Sequence, residues 1–294
     1  MAYTATIGFF DGVHKGHQYL IEQLLHEAAR QGTDSAIITF EEHPENILRG
    51  IRKPLLTTYS ERTTLLRATG ISEIFCFRFD IVKDMTAEDF MRILKNNCHV
   101  DVLLMGYDHH FGSDRLCSFA DYKAAAERVG MQLCPIQQAP EGDVSSSKIR
   151  KALLNGDVEK ATKMLGKPYT ISGAVVHGRG IGREIGYPTA NIEPDRDKLL
   201  PRAGVYKVEI EGLEEDGQRN EDRRTAILNI GNNPTISNDS NTTLEVHIPD
   251  YDHNLYGRPL TLRFLRYIRE ERRFDSIAEL QQQIAKDLRA MRET

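Results

Sequence analysis

An α/β domain on a parallel sheet, joined by a short helical connector to an antiparallel β-barrel with a terminal helix, is the architecture that the order of apolar runs predicts. From Tyr3 to about Arg150, short apolar runs alternate with helical patterns, the mark of βαβ units and a parallel sheet. Beyond the connector, β-rich segments follow one another between Gly, Pro, Asn and Asp with no helix among them, as in a small closed barrel. A length of 294 residues suits two ordinary domains. The boundaries read as 1–150 for the first domain, 151–168 for the connector and 169–294 for the second.

In order, TATIGF and SAIITF are strands flanking the helix HQYLIEQLLHEAARQG, in which Leu20, Ile21, Leu24, Leu25 and Ala28 form one stripe. Gly32 stands where a left-handed C-terminal cap is wanted. The helix AEDFMRILKNN starts after Thr86, a side chain able to cap its first turn. VDVLLMG, FADYKAAAERVG and MQLCPI continue the alternation. KIRKALLNGDVEKATKMLG reads as two short helices broken at Gly156. YTISGAVVHG, GVYKVEIEG, TAILNIG, TLEVHIPD and RPLTLRFLRYI then supply the barrel, and the polar stretch Glu211 to Arg224 reads as a solvated hairpin loop. The last helix carries Ile277, Leu280, Ile284 and Leu288 on one face to cover the barrel.

Composition narrows the function. Hydrophobic residues make up 40% and the net charge is -5, which gives material for real cores but lacks the basic footprint of a non-specific nucleic-acid binder. Tryptophan is absent, so a barrel that stacks single-stranded bases is also disfavoured. No apolar run approaches the roughly 18 residues of a membrane span and no signal peptide is recognisable; a cytoplasmic location with no membrane partner is expected. Cys76, Cys98, Cys117 and Cys134 are widely spaced and read as buried free thiols. Oligomeric state is not legible.

The first constellation is GFFDGVHKGH, Gly8 to His17, where a strand enters a glycine-punctuated turn and then a helix. Such a turn presents free backbone amides to a phosphate. Its glycines at 8, 12 and 16 fit neither GxGxxG nor GxxxxGK[ST]. His14 and His17 can both aim above the helix N-terminus and stabilise charge developing on an α-phosphorus. A pair of capping histidines is the plainer alternative, and a metal pair lacks a third ligand.

This decapeptide resembles the HxGH nucleotidylyltransferases, and its fuller form the adenylyltransferase half of the bacterial bifunctional riboflavin kinase/FAD synthetase family. GYDHHFGSDR, Gly106 to Arg115, is similar to that family's glycine-rich loop, VSSSKIR, Val144 to Arg150, to its phosphate-holding helix start, and FEEHP, Phe40 to Pro44, more loosely to a flavin-side segment. The resemblance implies ATP contacts at Gly8, Phe10, Asp11, Gly12, Gly16, Asp108, Ser146, Ser147 and Arg150, with His14 and His17 catalytic.

The second constellation, GAVVHGRGIGREIGYPTAN, packs glycines around two arginines, and Thr189 and Asn191 share one side of an extended chain. Oxygen ligands of this kind suit magnesium, although Pro188 with Thr and Asn could equally make a self-satisfied turn. Glu245 and His247 share a strand face, where an exposed Glu is ordinarily only solvated. The series PTAN, LNIGNNPT, LEVHIPDYDHNLYG and FLRYIREERRF resembles the riboflavin kinase domain along almost its whole length. The resemblance implies Thr189 and Asn191 on Mg²⁺–ATP, phosphate contacts from Gly178, Gly180, Gly182 and Pro188, and Glu245 as base. The implied fold is a Rossmann-like nucleotidyltransferase domain followed by a six-stranded Greek-key barrel and a helix. The implied activity takes riboflavin to FMN and FMN to FAD, with ATP as co-substrate in both steps. Three other readings fit parts of the same pattern: a kinase with an impaired or altered adenylyltransferase half, a nucleotidylyltransferase for another phosphorylated molecule, and a flavin-binding regulator without catalysis.

Overall fold

The structure is a computed structural model that describes residues 2–106, 110–137, 144–178, 180–215, 218–219, 223–232 and 242–293. The chain divides into two compact units, residues 1–146 and 147–294.

In the first unit β1 (Tyr3–Ile7), α1 (Lys15–Gln31), β2 (Asp34–Phe40), α2 (Pro44–Arg49), α3 (Tyr59–Arg67), β3 (Glu73–Phe77), α4 (Phe79–Val82), α5 (Ala87–Asn97), β4 (Val100–Met105), α6 (Phe119–Arg128) and β5 (Gln132–Pro135) follow in turn. The five strands are parallel in the order β3-β2-β1-β4-β5. The winding direction reverses between β1 and β4, so the turn leaving β1 lies where an open α/β sheet leaves a crevice. Helix α1 buries Ile21 and Leu24, each contributing about 2–3 kcal/mol of transfer free energy. It stops at Gly32, whose φ of 67° is left-handed and whose N–H reaches back to the carbonyls of Ala28 and Ala29. The Thr86 hydroxyl caps α5 by accepting from the Asp89 N–H. Strand β3 and helices α2 to α4 were not legible as elements, because EIFCF is short and sits among polar turns.

Helix α7 (Ser146–Leu154) carries the chain into the second unit, and α8 (Val158–Leu165) follows after Gly156, whose φ of 81° breaks the two helices apart. Then come β6 (Thr170–Val176), α9 (Ile181–Glu184), β7 (Ala190–Pro194), β8 (Gly204–Glu211), β9 (Glu214–Glu215), β10 (Gln218–Arg219), β11 (Arg224–Asn232), β12 (Thr242–His247), β13 (Pro259–Arg269) and α10 (Ile277–Arg292). Six strands close a barrel in the order β11-β12-β7-β6-β13-β8. The sequential neighbours β7 and β8, and β12 and β13, are not paired, which is the Greek-key connection.

The structure departs from these expectations at several points. A single helical turn, α9, interrupts the barrel segment where Gly180 and Gly186 both take positive φ. The polar stretch after Glu211 keeps the hairpin form expected of it, with β9 and β10 paired as a short antiparallel ribbon. Of the four cysteines only Cys98 is buried; Cys76 and Cys134 are half-buried, and Cys117, after the positive-φ residue Arg115, is exposed. Ile277 is 63% exposed at the first position of α10, while Leu288 of the expected face packs with Met291 against Val205 and Ile227 of the barrel.

Candidate functional site

The turn from Gly8 to His14 is tightly folded. Phe10, Gly12 and Val13 take φ of 58°, 83° and 42°, and two of these are not glycine. Backbone strain of that kind persists only where surrounding contacts over-determine it. Phe10 and Val13 anchor the turn in the core, with 2% and 1% exposure. The Asp11 carboxylate accepts from the N–H of Leu56 and Thr57 at 3.1 and 3.0 Å and from the Thr57 hydroxyl at 3.2 Å, while that hydroxyl also accepts from the Gly12 N–H. Asp11 and Phe10 therefore shape the turn. Ser146 donates its hydroxyl hydrogen to the Asp11 carbonyl at 3.1 Å.

His14 caps α1, its Nδ1 accepting from the His17 N–H at 3.3 Å, and the two imidazoles stack with centroids 3.6 Å apart and planes 14° from parallel. A Cβ on Gly16 would come within 3.3 Å of the His14 ring, so glycine leaves the close approach open. Burial pulls the His14 pKa down to about 4, against the opposing pull of the Asp11 charge. Burial also drives His17 well below its ordinary value, with repulsion from His14 acting in the same direction. Both rings are thus neutral near pH 7, and Nδ1 of His17 is buried without a partner among the described residues. A cavity of about 110 Å³ opens at the ends of β1 and β4, lined by Ile7, Leu20, Met105, Gly106 and Phe111 among others. Ser147 is exposed and Arg150 buried further along α7, in the second unit, and Asp108 lies outside the described residues.

The barrel brings the second set together. Glu245 on β12 pairs in register with Asn229 on β11 and Asn191 on β7, so the three side chains form one row across the sheet. That row borders two cavities. One, of about 590 Å³, is lined by Gly178, Gly180, Gly182, Thr189, Asn191, Asn229, Thr243, Glu245 and Glu271. The other, of about 320 Å³, is lined by Ile185, Tyr187, Val205, Ile227, Phe274, Leu280 and Ile284, with Arg269 and Asp287. Gly182, Thr189, Asn229, Glu245 and Glu271 border both. Glycine is required at Gly182, where a Cβ would meet the Tyr187 backbone carbonyl at 2.4 Å, while a Cβ on Gly178 would displace the Asn191 side-chain amide, which lies 2.0 Å from its position. His247 makes a 2.8 Å hydrogen bond through Nδ1 with the Pro188 carbonyl, and so braces the turn before Thr189.

Sequence reasoning missed Asn229 and Glu271. Asn229 sits inside LNIGNNPT, but only strand register puts it beside Glu245. Glu271 lies in the charged run after β13, where nothing distinguishes it from its solvated neighbours.

A parallel α/β unit with paired imidazoles at its switch point, followed by a closed barrel with a glycine-lined polar cavity, defines a two-part nucleotide-using transferase. Residues 2–149 match the FAD synthetase family and residues 165–294 the riboflavin kinase family. The bifunctional riboflavin kinase/FMN adenylyltransferase of Escherichia coli K12 is 36% identical over 293 residues, covering 98% of this chain and 91% of its own. That of Pseudomonas fluorescens is 35% identical with the same coverage, and that of Listeria monocytogenes is 32% identical, covering 96% and 88%. A solved Streptococcus pneumoniae chain, described as a macrolide-efflux protein, is 30% identical with a TM-score of 0.87, covering 100% of this chain and 94% of its own. Among the described residues no helix is long and apolar enough to cross a membrane. The chain belongs to the bifunctional riboflavin kinase/FMN adenylyltransferase family.

Proposed function

We propose that the second domain, residues 169–294, phosphorylates riboflavin to FMN and that the first, residues 1–150, adenylylates FMN to FAD, with 151–168 as the connector. The observation that carries the kinase reading is the sharing of Glu245 between a polar, glycine-lined cavity and an apolar one. The larger cavity suits a nucleotide triphosphate and the smaller a flat, mostly apolar ring system. Glu245 then stands where the flavin side chain meets the γ-phosphate. It accepts the proton of the ribityl 5′-hydroxyl, the 5′-oxygen bonds to the γ-phosphorus, and ADP leaves as the bridging P–O bond breaks.

Thr189 and Asn191 offer a hydroxyl and an amide oxygen to the phosphate-side cavity. Among the described residues no group of three or more His, Cys, Asp or Glu gathers to make an all-protein cage. Hard oxygen donors completed by phosphate fit Mg²⁺. When bound there, the ion offsets the charge of the phosphates.

In the first domain the FMN phosphate is already an anionic nucleophile, so no side-chain base is needed. One of its oxygens bonds to the α-phosphorus of ATP and pyrophosphate departs. His14 and His17 donate from neutral imidazoles to the phosphate oxygens, and the free amides at the start of α1 add to that field. Ser147 and Arg150 on α7 are assigned to the nucleotide phosphates on the family resemblance.

Incubating the purified chain with riboflavin, ATP and Mg²⁺ and resolving the flavins over time tests the reading. FMN should appear first and FAD after it, with ADP and then pyrophosphate as co-products; absence of both flavin nucleotides overturns it.

A further inference from the structure

Arg62, on α3, has no solvent exposure and heads the large buried side chains of the described residues. A charge so placed is normally paired or fully hydrogen-bonded. Among the described residues it makes one hydrogen bond, from Nη2 to the Phe40 carbonyl at 2.5 Å. Nε and Nη1 are buried with no partner among the described residues. An apolar side chain of similar volume would fill the same space without two orphaned donors, so packing alone does not account for the arginine.

What the guanidinium does make is a set of face contacts. Its central carbon lies 4.0 Å from the centroid of Phe9 and 5.7 Å from that of Tyr59. The Phe9 ring also packs on His43, at 4.7 Å. Phe9 immediately precedes the strained residue Phe10, and its carbonyl accepts from the Thr39 hydroxyl at 3.4 Å. Asp11 follows Phe10 and is gripped by the amides of Leu56 and Thr57. The turn is therefore held on both sides of its first positive-φ residue, by Asp11 after it and by the Phe9 ring before it. The Asp11 charge also favours the charged form of Arg62, which burial opposes.

We propose that Arg62 is a positioning residue for adenylyl transfer: by clamping the Phe9 ring it fixes the strained turn that aims His14 and His17. The planar face is what matters, since a lysine carries the charge but cannot lie flat against the ring. The inference rests on the reading of the first domain as an FMN adenylyltransferase.

The test uses the full chain and the variants Arg62→Lys, Arg62→Met and Phe9→Leu, with FAD formation from supplied FMN, ATP and Mg²⁺ as the readout. The expected result is a kcat lower by roughly ten- to hundred-fold in all three, the scale of a small misplacement of catalytic groups. KM for ATP and FMN should stay within about threefold, because the positioned groups act on the transition state. FMN formation from riboflavin should be unchanged, and the ring-nitrogen NMR resonances of His14 and His17 should move in each variant. If Arg62→Met does not fold, Arg62→Lys and Phe9→Leu carry the test. Wild-type kcat in the folded variants, or a raised KM with kcat preserved, overturns the role of Arg62. Failure of the unmodified chain to make FAD overturns instead the reading on which it rests.

Discussion

Glu245 stands directly opposite Asn191 across the β12–β7 pair, with Thr189 two residues earlier on the same cavity wall. The proposed base and Asn191, one of the proposed magnesium ligands, are thus fixed to one sheet, with Thr189 immediately before the strand that carries Asn191. Glu245→Gln keeps the shape and removes the proton acceptor. FMN formation from riboflavin should fall by about 10²- to 10⁴-fold, with FAD formation from supplied FMN unaffected. His17→Ala should do the reverse. Chromatographic separation of FMN and FAD reads both, and loss of both activities in either folded variant would contradict independent sites.

The stacked imidazoles give a pH signature. The folded pKa of His14 lies near 4 and the ordinary value is 6.5. Above pH 6.5 the ring is neutral in both states and the full stability is present. As pH falls from 6.5 toward 4 the unfolded chain takes up the proton and the folded one does not, so stability is lost. His14 alone accounts for roughly 3 kcal/mol across that window, and His17 shifts in the same direction. Denaturant unfolding at pH 7 and pH 4.5 should show the loss in the first unit. His14→Asn, which retains a capping side chain, should flatten it; an unchanged slope would mean that His14 is not neutral in the folded protein.

Much of this was legible in the sequence for a simple reason: most of the residues proposed for the two sites sit in local motifs. The spacing of His14, Gly16 and His17 on one strand–turn–helix already places two imidazoles above one helix end, and the stack is its direct outcome. The alternation in TLEVHIPD likewise puts Glu245 and His247 on one face, and both border the smaller cavity. What depends on register was hidden. The row of Asn191, Glu245 and Asn229 needs three strands distant in sequence to pair correctly. Asp11, the natural candidate for a nucleotide contact from its motif, has its carboxylate gripped by the backbone of Leu56 and Thr57, a partner segment that no local pattern announces. Arg62 carries no local signal at all, because its burial comes wholly from tertiary packing.

For the metal, Asn191→Ala removes an amide oxygen and leaves the strand pairing in place. The Mg²⁺ concentration giving half-maximal FMN formation should rise several-fold, and the KM for ATP of the kinase should rise with it. FAD formation from FMN should keep its metal dependence. A kinase whose Mg²⁺ titration is unmoved would exclude Asn191 as a ligand.

The ion pair between β13 and α10 sets the stability of the wall behind the smaller cavity. Arg269 donates to Asp287 from Nε at 3.0 and 3.1 Å and from Nη2 at 2.8 Å, and Gln283 adds a third donor at 2.7 Å. Asp287 is only 3% exposed. Removing one partner of such a pair leaves a buried charge uncompensated, which costs about 3–5 kcal/mol. Asp287→Ala should therefore lower the thermal transition of the barrel unit by about 10 °C, leaving that of the first unit in place. Replacing both partners with apolar residues, Arg269→Met and Asp287→Leu together, should recover most of the loss, because no orphaned charge remains. Calorimetry on the single and double variants decides it: if the double variant is as unstable as the single one, the pair contributes through specific geometry and not through charge compensation.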